Sequence, residues 1–320
     1  MLVLQNELMG DLLSFSEVIE EVENAMIAYE KQEVIVPLRM HIEKGKNTMI
    51  CMPAWGDHYF ANKLVNVFPA NRDKNLPVNI GALVLNNAET GEALALMNAS
   101  KITALRTGAL GAIGIKYLTP SDTSSFGLIG CGVMGLHLAA MTCTVRKISI
   151  VHYLHRSESG AARLTAFIQS YFPEVAIEAS YSAEELLGKT NAVIAATPSP
   201  VPVLPDDSRL LKGKCFISIG SFKPSMQELP DEVFKLAGRL FMDSEDARVE
   251  PGDCINPVKK GILKETDLLT IGKLITKEAS VDVQQTTAYK SAGMAVYDLF
   301  VAQAMYERAV QSNKGTQVAF

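Results

Sequence analysis

Three cationic side chains lie in apolar parts of the sequence. Arg106 is the only charged residue in the run 102–115, Lys63 falls on the apolar face of the alternating segment 61–69, and Arg39 is a weaker third candidate. A buried cation needs an anionic partner, and the arginine fork suits a carboxylate of the protein or of a ligand. Burial also lowers the pKa of a lysine, which suits it to exchange a proton near neutral pH. An internal ion pair for Arg106 and a strand-end position for Lys63 remain open as structural alternatives.

A glycine-rich turn lies between a predicted strand and a predicted helix. Gly130, Gly132 and Gly135 have the spacing G-x-G-x-x-G, with Val133 and Met134 inside the turn. In this context the first glycine permits the tight turn, the second lets the backbone approach a pyrophosphate, and the third lets helix and strand pack closely. The turn therefore predicts a dinucleotide site, against the alternative of glycines that serve turn and packing alone.

The end of the next predicted strand carries His155, Arg156 and Ser157, where a site that prefers NAD usually has an Asp or Glu for the ribose hydroxyls. A guanidinium and a hydroxyl there suit a 2′-phosphate. We therefore predict a preference for NADP(H), with a solvated loop arginine as the alternative.

The remaining polar clusters have simpler interpretations. The acidic run 243–253 is typical of helix capping and a solvated surface, and the five histidines have no ligand spacing, so we predict no metal site. Five cysteines without a C-x-x-C pair predict reduced, mostly buried thiols.

The elements that must position these residues follow from hydrophobic periodicity. The segment 17–29 has helical spacing behind Ser16, which we expect to cap it. Short apolar runs from 34 to 96 predict an antiparallel meander, and a helix follows to residue 118. Strands and helices then alternate as in a doubly wound parallel sheet. The later predicted elements are strands 125–129, 147–151, 192–197 and 215–219, helices 136–145 and 160–171, and a last helix at 292–311.

Composition sets the class of protein. A chain of 320 residues with 48% hydrophobic residues is enough for two domains with buried cores. A net charge of −5 argues against nucleic acid or an anionic membrane as a partner. The N-terminus has no signal-peptide pattern and no apolar run reaches about 18 residues, so we predict a cytoplasmic protein.

The chain resembles the ornithine cyclodeaminase/mu-crystallin family from about Pro37 to Ala309. The matching segments are collinear: Pro37–Arg39, Lys63–Asn71, Ile102–Ala109, Gly130–Gly135, Ala192–Ser199, Ile219–Ser221, Met242–Ser244 and Lys290–Asp298. The resemblance implies an α/β fold with a Rossmann-type doubly wound parallel sheet at 119–291. It also implies a second α+β domain, for substrate binding and dimerisation, formed by 1–118 with 292–320. A homodimer that binds NAD(H) or NADP(H) is expected.

Carried over residue by residue, the family's carboxylate-binding arginines fall on Arg39 and Arg106, and its active-site lysine on Lys63. Four further residues are expected in loops that position the nicotinamide: Thr197, Gly220, Ser221 and Ser291. Family members include cyclodeaminases, alanine dehydrogenases, cyclic ketimine reductases and mu-crystallin.

Two positions depart from the cyclodeaminase pattern. Those enzymes carry an acidic residue where this chain has Ile50, and an Asp where it has Phe222. Cyclisation of a diamino acid must recognise a distal ammonium, which neither side chain can do. The sequence therefore predicts an NAD(P)H-dependent oxidoreductase, with NADP(H) favoured, that reduces the C=N bond of a small imino acid such as 1-pyrroline-2-carboxylate, or runs the reverse oxidation. The alternatives are an ornithine cyclodeaminase that forms proline, an alanine dehydrogenase, and a ligand-binding protein like mu-crystallin.

Overall fold

The computed structural model describes residues 1–319, with the side chain of Arg72 excepted. The strands are β1 (Leu2–Leu4), β2 (Met40–Lys44), β3 (Asn47–Trp55), β4 (Tyr59–Val67), β5 (Asn79–Asn87), β6 (Ala93–Asn98), β7 (Ser125–Ile129), β8 (Ile150–Leu154), β9 (Ala176–Ser180), β10 (Ala192–Ala195), β11 (Cys215–Ser218), β12 (Leu240–Met242), β13 (Leu268–Thr270), β14 (Thr287–Lys290) and β15 (Thr316–Gln317).

The helices are α1 (Asn6–Met9), α2 (Phe15–Glu30), α3 (Ala99–Leu118), α4 (Val133–Val145), α5 (Glu158–Tyr171), α6 (Ala183–Lys189), α7 (Ser208–Leu211), α8 (Asp231–Ala237), α9 (Gly252–Lys259), α10 (Gly272–Ile275) and α11 (Ala295–Gln311). Short 3₁₀ helices cover Pro69–Lys74, Glu245–Arg248 and Glu265–Asp267. None of the helices in the described part of the chain is both long enough and apolar enough to cross a membrane.

The chain divides into two compact units. Unit 1 contains residues 1–106 and the chain from 294 onward, and unit 2 contains 107–293. The sequence predicted a domain boundary at 118, the end of α3, whereas unit 2 begins inside that helix, at Thr107. The reason is that the end of α3 is bonded into unit 2, where Arg146 donates a hydrogen bond to the Lys116 carbonyl at 2.6 Å. The last predicted residue of the first domain, Phe320, lies outside the described residues.

Unit 1 is built on a seven-stranded sheet in the order β15-β1-β6-β5-β4-β3-β2. The pairs from β6 to β2 are antiparallel, as the meander predicted. Helix α11 packs on α2, β3 and β4, and so covers one face of this sheet. The predicted cap of α2 is wrong by two residues: Ser14, not Ser16, accepts from the Glu17 amide, and Glu17 accepts in return from the Ser14 amide. This reciprocal capping box satisfies two amides that Ser16, inside the helix, cannot reach.

Unit 2 is built on an eight-stranded parallel sheet in the order β13-β12-β14-β11-β10-β7-β8-β9. The chain moves outward from β7 to β8 and β9, and then returns to place β10 on the other side of β7. The predicted doubly wound fold is confirmed. Strand β7 lies where the sequence predicted it, whereas β8 begins three residues later than expected, because its pairing with β7 starts at Ile150, opposite Ser125. The carboxyl ends of β7 and β10 form the point where ligands bind in such sheets.

Candidate active site

One carboxylate in unit 1 holds two of the three predicted cations. The Lys63 Nζ donates to Asp298 Oδ2 at 2.6 Å, and the Arg106 Nε donates to Asp298 Oδ1 at 3.4 Å. Lys63 and Asp298 are each only 1% exposed, and Arg106 is also buried. The Arg106 contact uses Nε, whereas the two terminal nitrogens provide the bidentate edge that matches a ligand carboxylate. An internal ion pair and a ligand-binding role for Arg106 are therefore compatible.

The charges around Lys63 set its pKa near neutrality. Burial has the largest effect and lowers the pKa, and the positive charges of Arg106 and Arg39 lower it further. The attraction and hydrogen bond of Asp298 oppose this, and the pKa falls from 10.5 to about 8. Arg39 is half-buried in the segment just before β2. Asp298 therefore counters two buried cations, Lys63 and Arg106, with one negative charge.

The sequence analysis gave no role to Asp298, although it provides the anion that both buried cations require. A usable signal was present: residue 298 lies on the same face of the last helix as Met294, Val301 and Met305. An Asp in an otherwise apolar helical stripe needs a buried cationic partner.

The wall of the cluster is apolar where cyclodeaminases have an acid. Met52 lies directly opposite Lys63 in the β3–β4 pair, and Ile50 lies opposite Val65. Ile50 and Met52 are both buried on the face of the sheet that carries Lys63. Diagonal neighbours of this kind are about 7–8 Å apart, within reach of a small substrate. Lys63 also donates a longer bond, of 3.3 Å, to Thr103 Oγ1 on α3.

The glycine turn of unit 2 has the geometry of a phosphate cradle. Gly130 has φ +111°, and a Cβ on Gly135 would lie 1.9 Å from the Gly130 carbonyl oxygen, so both positions require glycine. A Cβ on Gly132 would meet nothing within 4 Å, so the space beside it is open to a ligand. Gly132 is also the N-cap of α4 and offers no side-chain cap to the first-turn amides, while Val133 is exposed and Met134 half-buried. These features fit a pyrophosphate at the helix N-terminus.

The end of β8 carries no carboxylate through residue 157. Arg156 is exposed, and the Ser157 hydroxyl caps α5 by accepting from the Gly160 amide at 3.2 Å. The His155 ring lies 5.4 Å from that of Tyr181, and its Nε2 is 3.5 Å from the exposed carboxylate of Glu158. Arg156 is therefore the side chain at this edge that suits a 2′-phosphate.

The four residues predicted to lie in the nicotinamide loops all donate hydrogen bonds to buried carboxylates. Thr197, Gly220 and Ser221 donate to Glu228, and Ser291 donates to Asp243 Oδ2 at 2.6 Å.

The prediction that the acidic run 243–253 is solvated is wrong for two of its members. Asp243 and Asp253 are 2% and 0% exposed, rather than solvated. Both accept hydrogen bonds from backbone amides: Asp243 from Gly293, and Asp253 from Leu229. Within residues 1–319, no group of three His, Cys, Asp or Glu side chains is arranged to hold a metal ion.

These two sites define the class of the protein. One unit has a doubly wound sheet with a phosphate cradle, and the other has a buried lysine–arginine–aspartate cluster. This combination is typical of a dinucleotide-dependent enzyme that acts on a small carboxylic acid.

Comparison with known proteins agrees with this class. The profile of the ornithine cyclodeaminase/mu-crystallin family matches residues 1–313, and the chain belongs to that family. Delta(1)-pyrroline-2-carboxylate reductase of Bacillus cereus is 31% identical over 328 residues, covering all of both chains.

Two solved structures are also similar over the whole chain. That of Thermococcus litoralis Delta(1)-pyrroline-2-carboxylate reductase, in complex with NADH and L-proline, has a TM-score of 0.92 with 30% identity and covers 99% of this chain and 100% of that one. An archaeal alanine dehydrogenase dimer with bound NAD has a TM-score of 0.91 with 30% identity and covers 100% and 99%. The predicted family and the predicted class, a nicotinamide-dependent oxidoreductase of imino or amino acids, are confirmed.

Proposed function

We propose that this protein reduces the C=N bond of a cyclic ketimine carboxylate, with 1-pyrroline-2-carboxylate the favoured substrate and NADPH the favoured reductant. The observation that carries the proposal is the buried Lys63–Asp298–Arg106 cluster, with Arg39 acting on it electrostatically. The reductase relatives support the same substrate class.

Each residue of the cluster has a chemical role in this reaction. Arg106 and Arg39 bind the substrate carboxylate through their guanidinium groups. The Lys63 ammonium donates to the ring nitrogen, so that the nitrogen gains a proton as the neighbouring carbon gains a hydride. A bound dinucleotide supplies that hydride. Asp298 keeps Lys63 charged and fixed in direction, which lets the reaction proceed without reorganisation of the site.

The proposed substrate is tested against the cyclodeaminase reaction. Ornithine would have to bury its distal ammonium, and the buried Ile50, on the face of the unit 1 sheet that carries Lys63, cannot pair with it. An unpaired buried charge costs at least several kcal/mol. We expect the purified protein to oxidise NADPH with a five- or six-membered cyclic ketimine carboxylate and to release little or no ammonia from ornithine with NAD.

The same assays distinguish a ketimine reductase from a dehydrogenase, a binding protein and a lyase. Turnover of pyruvate with ammonia faster than of any cyclic ketimine would favour an alanine dehydrogenase. Tight ligand binding without turnover would favour a mu-crystallin-like binding protein. Ammonia release from ornithine at or above the rate of ketimine reduction would favour an ornithine cyclodeaminase, which is a lyase.

The cofactor preference rests on Arg156. We expect Arg156→Ala to lower kcat/KM for NADPH about tenfold or more and to change the value for NADH little, because a charge-assisted contact with a phosphate is worth about 1.5–3 kcal/mol. The control is Arg209→Ala, which removes an exposed arginine that pairs with Asp207. An equal fall in kcat/KM with both cofactors would show that Arg156 does not bind the 2′-phosphate.

We also propose that the protein is a homodimer that buries the outer face of the unit 1 sheet. Met40 and Leu64 flank Cys51 in one cross-strand row, and Ile42 and Ile80 lie in the next. All four of these apolar side chains are exposed, on the face opposite Lys63. A group of exposed apolar side chains on one sheet face is typical of an interface, and the archaeal alanine dehydrogenase is a dimer. The molar mass measured by light scattering should correspond to two copies for the parent protein and to one copy for Leu64→Glu. A monomeric parent protein would contradict the proposal.

A further inference from the structure

A fully buried carboxylate, Glu228, joins the two loops that follow β10 and β11. Its Oε1 accepts from the amide and the hydroxyl of Thr197, at 2.6 and 2.8 Å. Its Oε2 accepts from the Ser218 hydroxyl at 2.8 Å and from the amides of Gly220 and Ser221 at 2.6 and 3.3 Å. Four donors from the two loops and one from the end of β11 therefore converge on one side chain that is 0% exposed.

The donor set is specific for a carboxylate. A carboxamide in the same place has one acceptor oxygen and one NH₂ group, which can only donate. If the NH₂ replaced Oε1, it would face the Thr197 amide; if it replaced Oε2, it would face the amides of Gly220 and Ser221. No orientation of Gln at residue 228 satisfies both loops, and an unsatisfied buried donor is costly.

The surrounding structure holds Glu228 in this position. Asp253 accepts from the amides of Glu228 and Leu229, at 3.1 and 2.9 Å, and from the Ser221 hydroxyl. The loops themselves are in close backbone contact, because a Cβ on Gly220 would lie 2.1 Å from the Thr197 carbonyl oxygen. The two loops therefore behave as one connected structure at the carboxyl edge of the sheet.

We propose that Glu228 is a positioning residue for the dinucleotide, which it serves by fixing the relative placement of the 196–199 and 219–222 loops. This rests on the proposed dinucleotide-dependent function. Strand β10 pairs with β7, whose end carries the glycine turn, so both loops lie at the edge of the sheet where doubly wound folds bind their ligands.

The test is the dinucleotide affinity of Glu228→Gln, measured by titration of NADPH fluorescence without substrate. We expect the Kd for NADPH to rise about tenfold or more, and the KM for NADPH to rise similarly, while kcat at saturating NADPH stays within about threefold of the parent. The matched control is Leu211→Ala, which opens a cavity in the core of unit 2 and lowers the unfolding midpoint, at a position in α7 that belongs to neither loop. We expect its Kd to equal that of the parent.

An unchanged Kd for Glu228→Gln, or a rise that Leu211→Ala reproduces at equal loss of stability, would overturn the proposal. If Glu228→Gln does not fold, hydrogen exchange in the parent protein decides: NADPH should slow exchange in peptides that cover 196–199 and 219–222, and unchanged exchange there would overturn it. Failure of the proposed function looks different, because the parent protein would then fail to reduce ketimines or to bind NADPH at all.

Discussion

Lys63→Met is expected to lower kcat for ketimine reduction by about 10²–10⁴-fold, the usual contribution of a positioned proton donor. Methionine has similar length and packs in the same apolar surroundings, but it cannot donate to the ring nitrogen. The KM for the ketimine should change less than kcat, because Arg39 and Arg106 still bind the carboxylate. Steady-state kinetics with saturating NADPH measures both constants.

A second lysine of unit 1 provides the control. Lys101 on α3 is half-buried and, like Lys63, has a pKa lowered mainly by burial, but Asp11 rather than Asp298 is the acid that acts on it. Lys101→Met should leave kcat within about twofold of the parent. A Lys63→Met protein with normal kcat would remove Lys63 from the mechanism.

Asp298→Asn is expected to change both stability and the pH dependence of the rate. The substitution leaves Lys63 and Arg106 buried without their shared anion, and breaking a buried ion pair in this way costs about 3–5 kcal/mol of unfolding free energy. Denaturant unfolding, monitored at a pH where the parent is stable, measures this loss.

The pH profile separates the electrostatic role of Asp298 from a purely structural one. Lys63 donates while it is protonated, and its pKa is about 8, so the parent rate should fall about tenfold per pH unit above that value. Asp298 is the group that raises this pKa, whereas burial, Arg106 and Arg39 all lower it. Its removal therefore lowers the pKa of Lys63, and the alkaline fall in rate should begin at lower pH.

Thr103→Val is the matched control, because it removes the longer Lys63 contact and leaves every charge in place. We expect its alkaline limb to stay near that of the parent. An Asp298→Asn protein that folds and shows an unshifted alkaline limb would exclude the proposed control of the Lys63 pKa.

Local patterns in the sequence determined the fold class and the residue types of both sites. The alternation of apolar runs predicted the parallel sheet of unit 2, because strands covered on both faces are continuously apolar. The glycine turn was recognisable because its spacing and its flanking elements are all local. Arg106 and Lys63 were identifiable as buried cations because a charge within an apolar pattern is visible without knowledge of what it contacts.

Tertiary structure decided which groups partner these residues. Asp298 is separated from Lys63 by 235 residues and from Arg106 by 192, so no spacing rule could connect them. Periodicity shows that a side chain is buried but not against what, since that depends on how α11 packs on β3 and β4.

The same limit applies to the acids of unit 2. The acidic run predicted a solvated Asp253, and no local pattern singled out Glu228. Both are buried, because Glu228 accepts from the loops after β10 and β11 and Asp253 from the loop after β11. Buried polar groups are tolerated where they satisfy backbone donors, and those donors come from chain segments that only the folded sheet brings together. The sequence thus determined which chemistry the chain carries, and the fold decided which carboxylates hold it in place.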